Sequence, residues 1–123
     1  MTCIFCETHD VLFENDTAKC FFDHYPVSKG HLLIVPKRHE ANFFELSSQE
    51  KHDMDELLEH SKTYLDDHEH PDAYNVGINV GKAAGQTVFH CHVHLIPRYT
   101  NDVENPIGGV RGVIPQKQHY QSK

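Results

Sequence analysis

The stretch from Val88 to Ile96 constrains the fold most, because apolar and polar residues alternate along it. Successive side chains of a β-strand point to opposite faces, so the alternation predicts a strand that Pro97 ends. The apolar face of this strand carries Phe89, Cys91, Val93 and Leu95. The opposite face carries three imidazoles at intervals of about 6.5–7 Å, together with two aliphatic side chains: His90, His92 and His94, with Val88 and Ile96.

The rest of the chain predicts an antiparallel α+β fold. Residues 74–80 alternate in the same way, and 10–14, 17–23 and 31–36 also have the composition of strands. Ser47 and Glu50 form a capping box that begins a helix. The apolar face of this helix is formed by Met54, Leu57, Leu58, Tyr64 and Leu65. We expect a sheet of about five strands with one main helix plus a short one.

Length and composition exclude several classes of protein. A chain of 123 residues fits one compact domain, and a net charge of −7 is unlike that of a nonspecific nucleic-acid binder. No apolar stretch is long enough to span a membrane. The segment Met1–Glu7 lacks the basic start and apolar core of a secretory signal, which predicts a cytoplasmic protein. A disulfide framework is not expected for the four cysteines in that compartment.

The three histidines of the predicted strand suit two chemistries. Neutral imidazole is a common metal ligand. Alternatively, one ring can be a neutral nucleophile while its neighbour is a cationic acid, which suits phosphoryl or nucleotidyl transfer. Gly85, Gln86 and Thr87 lie directly before the histidines. Glycine lets backbone N–H groups approach a phosphate and a threonine hydroxyl can donate to it, so this segment favours the second chemistry.

The segment Gly85–Arg98 resembles the signature of the histidine-triad (HIT) superfamily, His-x-His-x-His followed by apolar residues. The resemblance extends over residues 3–98: Cys3–Cys6 resembles the usual N-terminal start, and Lys29–Lys37 resembles an internal strand. Members are small α+β domains, usually homodimers, that bind nucleotides and hydrolyse or transfer nucleoside monophosphates. The resemblance implies a single HIT domain over residues 1–123, with an irregular C-terminal tail at 101–123.

The same resemblance implies roles for the catalytic residues. His92 would attack the α-phosphorus of a nucleoside phosphoramidate or dinucleoside polyphosphate and form a nucleotidyl-histidine intermediate. His94 would contact the phosphate and the leaving-group side, Thr87 would hold a phosphate oxygen, and His90 completes the triad. A neutral nucleophilic His92 requires its other ring nitrogen to donate a hydrogen bond to a backbone carbonyl.

Nucleotide binding would involve a further set of residues by the same resemblance. Gly85, Gln86 and Asn79 would lie near the phosphate, Asp23 would bind the ribose, and His31 matches another site histidine. The base pocket would be formed by Ile4, Phe5 and Phe21. For these three apolar residues, packing in the core is an equal alternative.

A zinc site is a second possibility at the N-terminus. Cys3 and Cys6 form a C-x-x-C pair, and His39 and His90 are the candidate third and fourth ligands of a tetrahedral structural site. The galactose-1-phosphate uridylyltransferases, which are related to the superfamily, resemble this pattern. The alternative is two reduced thiols and a surface His39.

Three hypotheses about function stay open at this point. The leading hypothesis is a nucleotidyl-histidine enzyme that acts on a purine nucleotide or nucleotide conjugate as a homodimer, without an organic cofactor, a nucleic-acid polymer or a membrane. The second is a noncatalytic purine nucleotide-binding or interaction module on the same fold. The third makes the histidine triad a catalytic metal centre.

Overall fold

The computed structural model describes residues 3–120, in which five strands form one antiparallel sheet in the order β1-β2-β3-β5-β4. The elements are β1 (Phe13–Glu14), β2 (Ala18–Phe22), β3 (Leu32–Pro36), the helix α1 (Ser48–His68), β4 (Ala73–Ile78) and β5 (Val93–Arg98). The predicted α+β fold is confirmed. Within residues 3–120, no helix combines the length and apolar character needed to cross a membrane.

Helix α1 begins where the capping box predicts. The hydroxyl of Ser47 accepts a hydrogen bond from the Glu50 N–H at 3.0 Å, and Glu50 Oε1 accepts one from the Ser47 N–H at 2.8 Å. Arg38 donates to both carboxylate oxygens of Glu50, at 3.1 and 3.0 Å. The Arg38 guanidinium is the main reason that the pKa of Glu50 falls to about 2. These bonds tie the chain after β3 to the start of the helix.

Apolar clusters cover both faces of the sheet. On the α1 face, the main core consists of Ala18, Cys20, Leu32, Ile34, Leu46, Met54, Leu57, Leu65, Cys91, Val93 and Leu95. On the other face, a smaller cluster of Phe5, Phe21, Leu33 and Val35 is extended by Cys3 and Val88. All five residues of β3 are buried, because α1 covers one face of the strand and the N-terminal segment covers the other.

Strand β5 begins five residues later than the alternation predicts, at Val93. Of the three triad histidines, only His94 lies in the strand, so the prediction that the triad shares one strand face is wrong for His90 and His92. Phe89 was expected on the core face but is 51% exposed. The alternation continues before Val93 in the sequence, whereas the backbone leaves the sheet there.

Pro97 lies inside β5 instead of ending it. The Pro97 carbonyl accepts a hydrogen bond from the Ser28 hydroxyl at 2.7 Å, on the side where pairing with β3 has already stopped at Leu95. In a strand, the nitrogen and oxygen of one residue point the same way, so the missing N–H of Pro97 faces a loop and no ladder bond is lost.

The remaining segments are short. Instead of one short second helix, residues 3–120 contain four 3-10 helices, at Phe43–Glu45, Lys82–Ala84, Gly109–Val113 and Pro115–Lys117. The last two belong to the predicted tail, whose residues 121–123 lie outside the described residues. Arg111 donates to the carbonyls of Lys117 and Gln118 within this tail, which holds the two 3-10 helices together.

Candidate functional site

The loop before β5 is held by the segment that follows β3. The Nε2–H of His90 donates to the Pro36 carbonyl at 2.7 Å, and the Cys91 N–H donates to the Glu40 carbonyl at 2.6 Å. These bonds take the place of sheet pairing, because the segment 36–41 turns away from the strand direction at Pro36. This is why His90 and His92 precede the strand, although the His92 ring still lies 5.0 Å from the His94 ring.

Both nitrogens of His90 are engaged. Because Nε2 carries the proton that is donated to Pro36, Nδ1 carries the lone pair. Nδ1 lies 3.5 Å from Cys3 Sγ, 3.4 Å from Cys6 Sγ and 3.3 Å from His39 Nδ1, and Cys6 Sγ lies 3.6 Å from His39 Nδ1. Burial keeps the pKa of His90 below its usual value, so the ring is neutral.

These separations fit a tetrahedral zinc site. With Zn–S near 2.3 Å and Zn–N near 2.05 Å, tetrahedral ligands stand about 3.6 Å apart for sulfur and nitrogen and about 3.3 Å apart for two nitrogens. The four ligand atoms of Cys3, Cys6, His39 and His90 all lie within 4.8 Å of one another. Desolvation, together with the neighbouring Cys3 thiol, raises the pKa of Cys6. A bound cation would act in the opposite direction, because it favours the thiolate.

His92 has one committed and one free nitrogen. Its Nδ1 donates to the backbone carbonyl of His90 at 2.8 Å, which meets the requirement stated for a neutral nucleophile. The lone pair therefore belongs to Nε2. The ring is 7% exposed and lies edge-on to Phe5, with centroids 5.0 Å apart, while it lines the pocket described below. Packing and one hydrogen bond thus fix the direction of Nε2.

The protonation of His94 is set by His31, which lies behind it. The Val27 N–H donates to His31 Nδ1 at 3.2 Å, so a neutral His31 carries its proton on Nε2. His31 Nε2 lies 3.0 Å from His94 Nδ1 and 3.5 Å from Asp23 Oδ2. His31 therefore donates to His94 Nδ1, and His94 is left with an Nε2–H.

Both rings of this pair are neutral at pH 7. Burial lowers the pKa of His31, although the charge of Asp23 opposes the shift. Burial, followed by the charges of His92 and His31, lowers the pKa of His94 to about 4. His94 is thus a neutral hydrogen-bond donor in the resting protein rather than a cation.

A second group of potential ligands does not fit a metal as well as the first. Asp23, His31 and His94 lie close enough to hold an ion. However, the ligand atom of His31 would be Nε2, which carries a proton while Nδ1 accepts from Val27. Metal binding here would require the loss of that backbone hydrogen bond. This group therefore fits a chain of hydrogen bonds better than a catalytic metal centre.

A pocket of about 340 Å³ opens on the sheet face opposite α1. The predicted site residues that line it are Ile4, Phe5, Phe21, Asp23, Asn79, Thr87, His92 and His94. Its size lies within the range of small-molecule sites. Phe5 and Phe21 also belong to the smaller apolar cluster, with ring centroids 5.5 Å apart, so they pack in the core while they line the pocket.

Four of the residues predicted for catalysis or nucleotide binding do not line this pocket. His31 and His90 are buried behind it, in the contacts already described. Gln86 is 3% exposed, and its amide bonds the Gly81 N–H and the carbonyls of Ala41 and Val88, so its side chain shapes the loop instead of facing the pocket. Gly85 is exposed in a left-handed conformation with φ 97°.

The sequence reasoning missed several pocket residues: Thr8, His24, Tyr25, Leu33 and Val88. Leu33 could have been found, because β3 is apolar throughout and must therefore have a second buried face. His24 and Tyr25 are exposed residues of the β2–β3 loop and carry no signal of periodicity. Their position follows from the hydrogen bond of the Tyr25 N–H to Asp23 Oδ1 at 2.8 Å, which turns the loop over the pocket.

A row of three imidazoles below an apolar pocket, beside a cluster of two cysteines and two histidines, is the arrangement of a histidine-triad domain. The sequence matches the family model "HIT domain" over residues 6–101. The chain belongs to the HIT family.

Named relatives and solved structures agree with this assignment. The chain is 38% identical over 104 residues to adenosine 5′-monophosphoramidase hnt1 of Schizosaccharomyces pombe, covering 80% of this chain and 75% of that protein. A crystal structure of a HIT family protein from Bacillus anthracis has a TM-score of 0.76 at 34% identity, covering 81% and 76% of the two chains. A zinc-bound histidine triad family protein from Mycobacterium smegmatis has a TM-score of 0.74 at 30% identity, covering 82% and 78%.

Proposed function

We propose that this protein is a nucleotide hydrolase or nucleotidyl transferase that acts at the α-phosphate of a nucleoside phosphoramidate or dinucleoside polyphosphate. The observation that carries the proposal is the hydrogen bond from His92 Nδ1 to the His90 carbonyl, because it leaves an Nε2 lone pair in the pocket. The similarity to an adenosine monophosphoramidase supports the same class of reaction.

The nucleoside occupies the apolar end of the pocket. Phe5 and Phe21 offer ring surface to the purine, and Ile4, which is 62% exposed, borders them at the rim. Asp23 accepts a ribose hydroxyl through Oδ2, since Oδ1 already accepts the Tyr25 N–H. These contacts would hold the α-phosphorus in front of His92.

Charge on the phosphoryl oxygens is met by neutral donors. Thr87 offers its hydroxyl, Asn79 its side-chain amide, and His94 its Nε2–H. Such prearranged donors stabilise developing charge more than water does, because they need no reorganisation during the reaction. Gln86 contributes by fixing the loop that carries Thr87.

The reaction then proceeds in two displacements. The lone pair of His92 Nε2 forms a bond to phosphorus, and the bond from phosphorus to the leaving group breaks with its electron pair. The leaving group takes its proton from solvent, because the neutral His94 ring keeps its Nε2–H as a hydrogen-bond donor to the phosphoryl group. Water next attacks phosphorus, the bond to His92 breaks with its electron pair returning to Nε2, one water proton returns to solvent, and a nucleoside monophosphate is released.

A substrate panel with mass detection of a nucleotidylated His92 tests the proposal. We expect the adduct in the wild-type protein and in a His52→Gln control, which changes an exposed histidine on α1. The His92→Gln variant should keep the melting temperature and lose both adduct and turnover. Full turnover by His92→Gln would refute the mechanism. Nucleotide binding without turnover of any substrate would establish the noncatalytic alternative instead.

We also propose that Cys3, Cys6, His39 and His90 hold a structural zinc ion. The four ligand separations support this proposal, as does the similarity to a zinc-bound family member. When bound, zinc would fix the N-terminal segment against the triad loop. Metal analysis should find one equivalent in the wild-type protein and none in a Cys3→Ser, Cys6→Ser variant. An equal metal content in both would refute the site.

A homodimer is the final part of the proposal. β4 is an edge strand of the sheet, and Val76 on it is 46% exposed. Such an edge offers unpaired backbone groups to a second copy of the chain. Light scattering should give twice the mass of one chain, and a monomer at micromolar concentration would contradict this part.

A further inference from the structure

The turn formed by residues 3–8 has few bonds to the rest of the molecule. Within the turn, the Glu7 N–H donates to the Cys3 carbonyl at 3.1 Å. Within the part of the chain that the structure describes, no backbone–backbone hydrogen bond joins this turn to another segment. The side chain of Lys19 reaches the Thr8 carbonyl at 3.4 Å, which is long for a hydrogen bond. The position of the turn therefore depends on its side chains.

Two cysteine side chains connect the turn to the triad loop. Cys3 Sγ lies 3.5 Å from His90 Nδ1, Cys6 Sγ lies 3.4 Å from the same atom, and Cys6 Sγ lies 3.6 Å from His39 Nδ1. A neutral imidazole has a single lone pair, so His90 cannot accept strong hydrogen bonds from both thiols at once. A metal ion bound by all four side chains would hold both ends of the C-x-x-C segment.

The two residues between these cysteines belong to the nucleotide pocket. Ile4 and Phe5 line it together with Phe21 and His92. The buried Phe5 ring has its centroid 5.5 Å from that of Phe21 and 5.0 Å from that of His92. An ion that fixes both ends of the C-x-x-C segment would therefore also fix the two apolar side chains that face the purine.

We propose that the cysteine–histidine cluster of Cys3, Cys6, His39 and His90 regulates nucleotide binding, because a bound zinc ion raises the affinity of the pocket for the purine. The inference rests on the proposed function and goes beyond the structural role given to zinc there. Without the ion, a nucleotide must order the turn when it binds, which costs conformational entropy. With the ion, the turn is already ordered. Coupling between two sites is reciprocal, so the nucleotide raises the affinity for zinc by the same factor.

Two ligands distinguish this coupling from a general effect of zinc on the fold: adenosine 5′-monophosphate (AMP) and ribose 5-phosphate. Both carry the sugar and the phosphate, but only AMP has a base that reaches the turn. NMR titrations of the wild-type protein give both dissociation constants, in zinc-buffered solution and after removal of zinc with a chelator. We expect zinc to strengthen AMP binding about tenfold, within the usual range for two coupled sites, and to leave ribose 5-phosphate unaffected. Melting curves check that both forms are folded at the titration temperature.

The reverse measurement tests reciprocity. Competition with a chromophoric chelator gives the zinc affinity, which should rise about tenfold in saturating AMP and stay constant in ribose 5-phosphate. Ile4→Ala keeps all four metal ligands and should weaken both effects. The control Val113→Ala, which shortens an exposed aliphatic side chain in the tail, should retain them.

Two results would overturn the coupling: an AMP affinity that does not depend on zinc, or an equal change for AMP and ribose 5-phosphate, which would indicate a general effect on the fold. Failure of the wild type to bind AMP at any zinc concentration would refute the proposed function, and the coupling with it. Failure to bind zinc while AMP still binds would refute the metal site and the coupling but leave the proposed function standing.

Discussion

The two outer histidines of the triad differ in what holds them. His90 is completely buried, with one nitrogen bonded to the Pro36 carbonyl and the other facing three potential metal ligands. His94 is only partly buried, and its ring borders the pocket while His31 supports it from behind. The first ring has no free atom for a substrate, whereas the second has a free Nε2–H.

Three histidines at equal spacing therefore have different roles, because different groups contact each ring. His92 shares features of both outer histidines. The backbone carbonyl of His90 orients its ring, and its free nitrogen faces the same pocket as His94. Changes on the His90 side should therefore act on stability and metal content. Changes on the His94 side should act on the rate of reaction.

The largest effect should follow from removal of the His94 hydrogen-bond donor. His94→Phe keeps an aromatic ring beside His92 but removes the Nε2–H, and we expect kcat to fall about 10²- to 10³-fold, the usual cost of removing one donor to the phosphoryl oxygens. Steady-state kinetics with unsubstituted adenosine phosphoramidate measures the loss. The melting temperature and metal content should not change, and a loss of metal in this variant would contradict the division between the two regions.

The next effect concerns the His90 side. Cys3→Ser with Cys6→Ser should lower the free energy of unfolding by about 2.7 kcal/mol when free zinc is a hundredfold above its dissociation constant, because a ligand that binds only the folded state stabilises it by that amount. Denaturant unfolding with and without a chelator measures the difference. The chelator should destabilise the wild type and leave the variant unaffected. Equal sensitivity of the two proteins would argue against the metal.

A smaller effect is expected from His31, which acts through His94. His31→Leu removes the hydrogen bond that fixes the proton of His94 on Nε2, and we expect kcat to fall roughly tenfold, the worth of one hydrogen bond. KM should stay the same, because His31 does not line the pocket. His31→Gln retains an amide donor and should recover part of the rate. Equal losses in the two variants would indicate a packing role alone.

The smallest effect concerns the Arg38–Glu50 ion pair, which holds the segment after β3 against the start of α1. Glu50→Gln keeps the capping box but removes the ion pair with Arg38, and should cost about 1–2 kcal/mol at pH 7 once the half-exposed Arg38 is allowed for. The pKa of Glu50 is lowered, so this stability is present above about pH 4.5 and is lost as the pH falls toward about 2. Unfolding curves of wild type and variant should therefore converge near pH 2. A constant difference across this range would show that the ion pair is not the cause.

The sequence allowed prediction of features that depend on local rules. The capping box at Ser47 begins α1 as predicted, and the apolar stretches gave all five strands. The group of four candidate metal ligands could also be found, because Cys3 and Cys6 form a C-x-x-C pair and the resemblance to related transferases pointed to His39 and His90. The capping box, the strands and the cysteine pair require only short spacing in the sequence.

Features that depend on distant hydrogen bonds could not be predicted in this way. Alternation suggests that β5 begins at Val88, but the bond of the Cys91 N–H to Glu40 removes the loop from the sheet. The Gln86 amide was expected to lie near the phosphate. Its hydrogen bonds to the Gly81 N–H and the Ala41 carbonyl instead direct it away from the pocket. Periodicity reports which face a side chain prefers and carries no information on where the backbone leaves the sheet.

The clamp of segment 36–41 on the triad loop has a consequence for the order of folding. Its bonds from Pro36 to His90, Glu40 to Cys91 and Ala41 to Gln86 join residues 54, 51 and 45 positions apart, across α1 and β4. Contacts of such separation have a high loop-closure cost and tend to form after local ones. The orientation of the proposed nucleophile, His92, should therefore be one of the last properties that the folding chain acquires. If the proposed function holds, a nascent or damaged chain that has its helix but lacks this clamp would not cleave nucleotides.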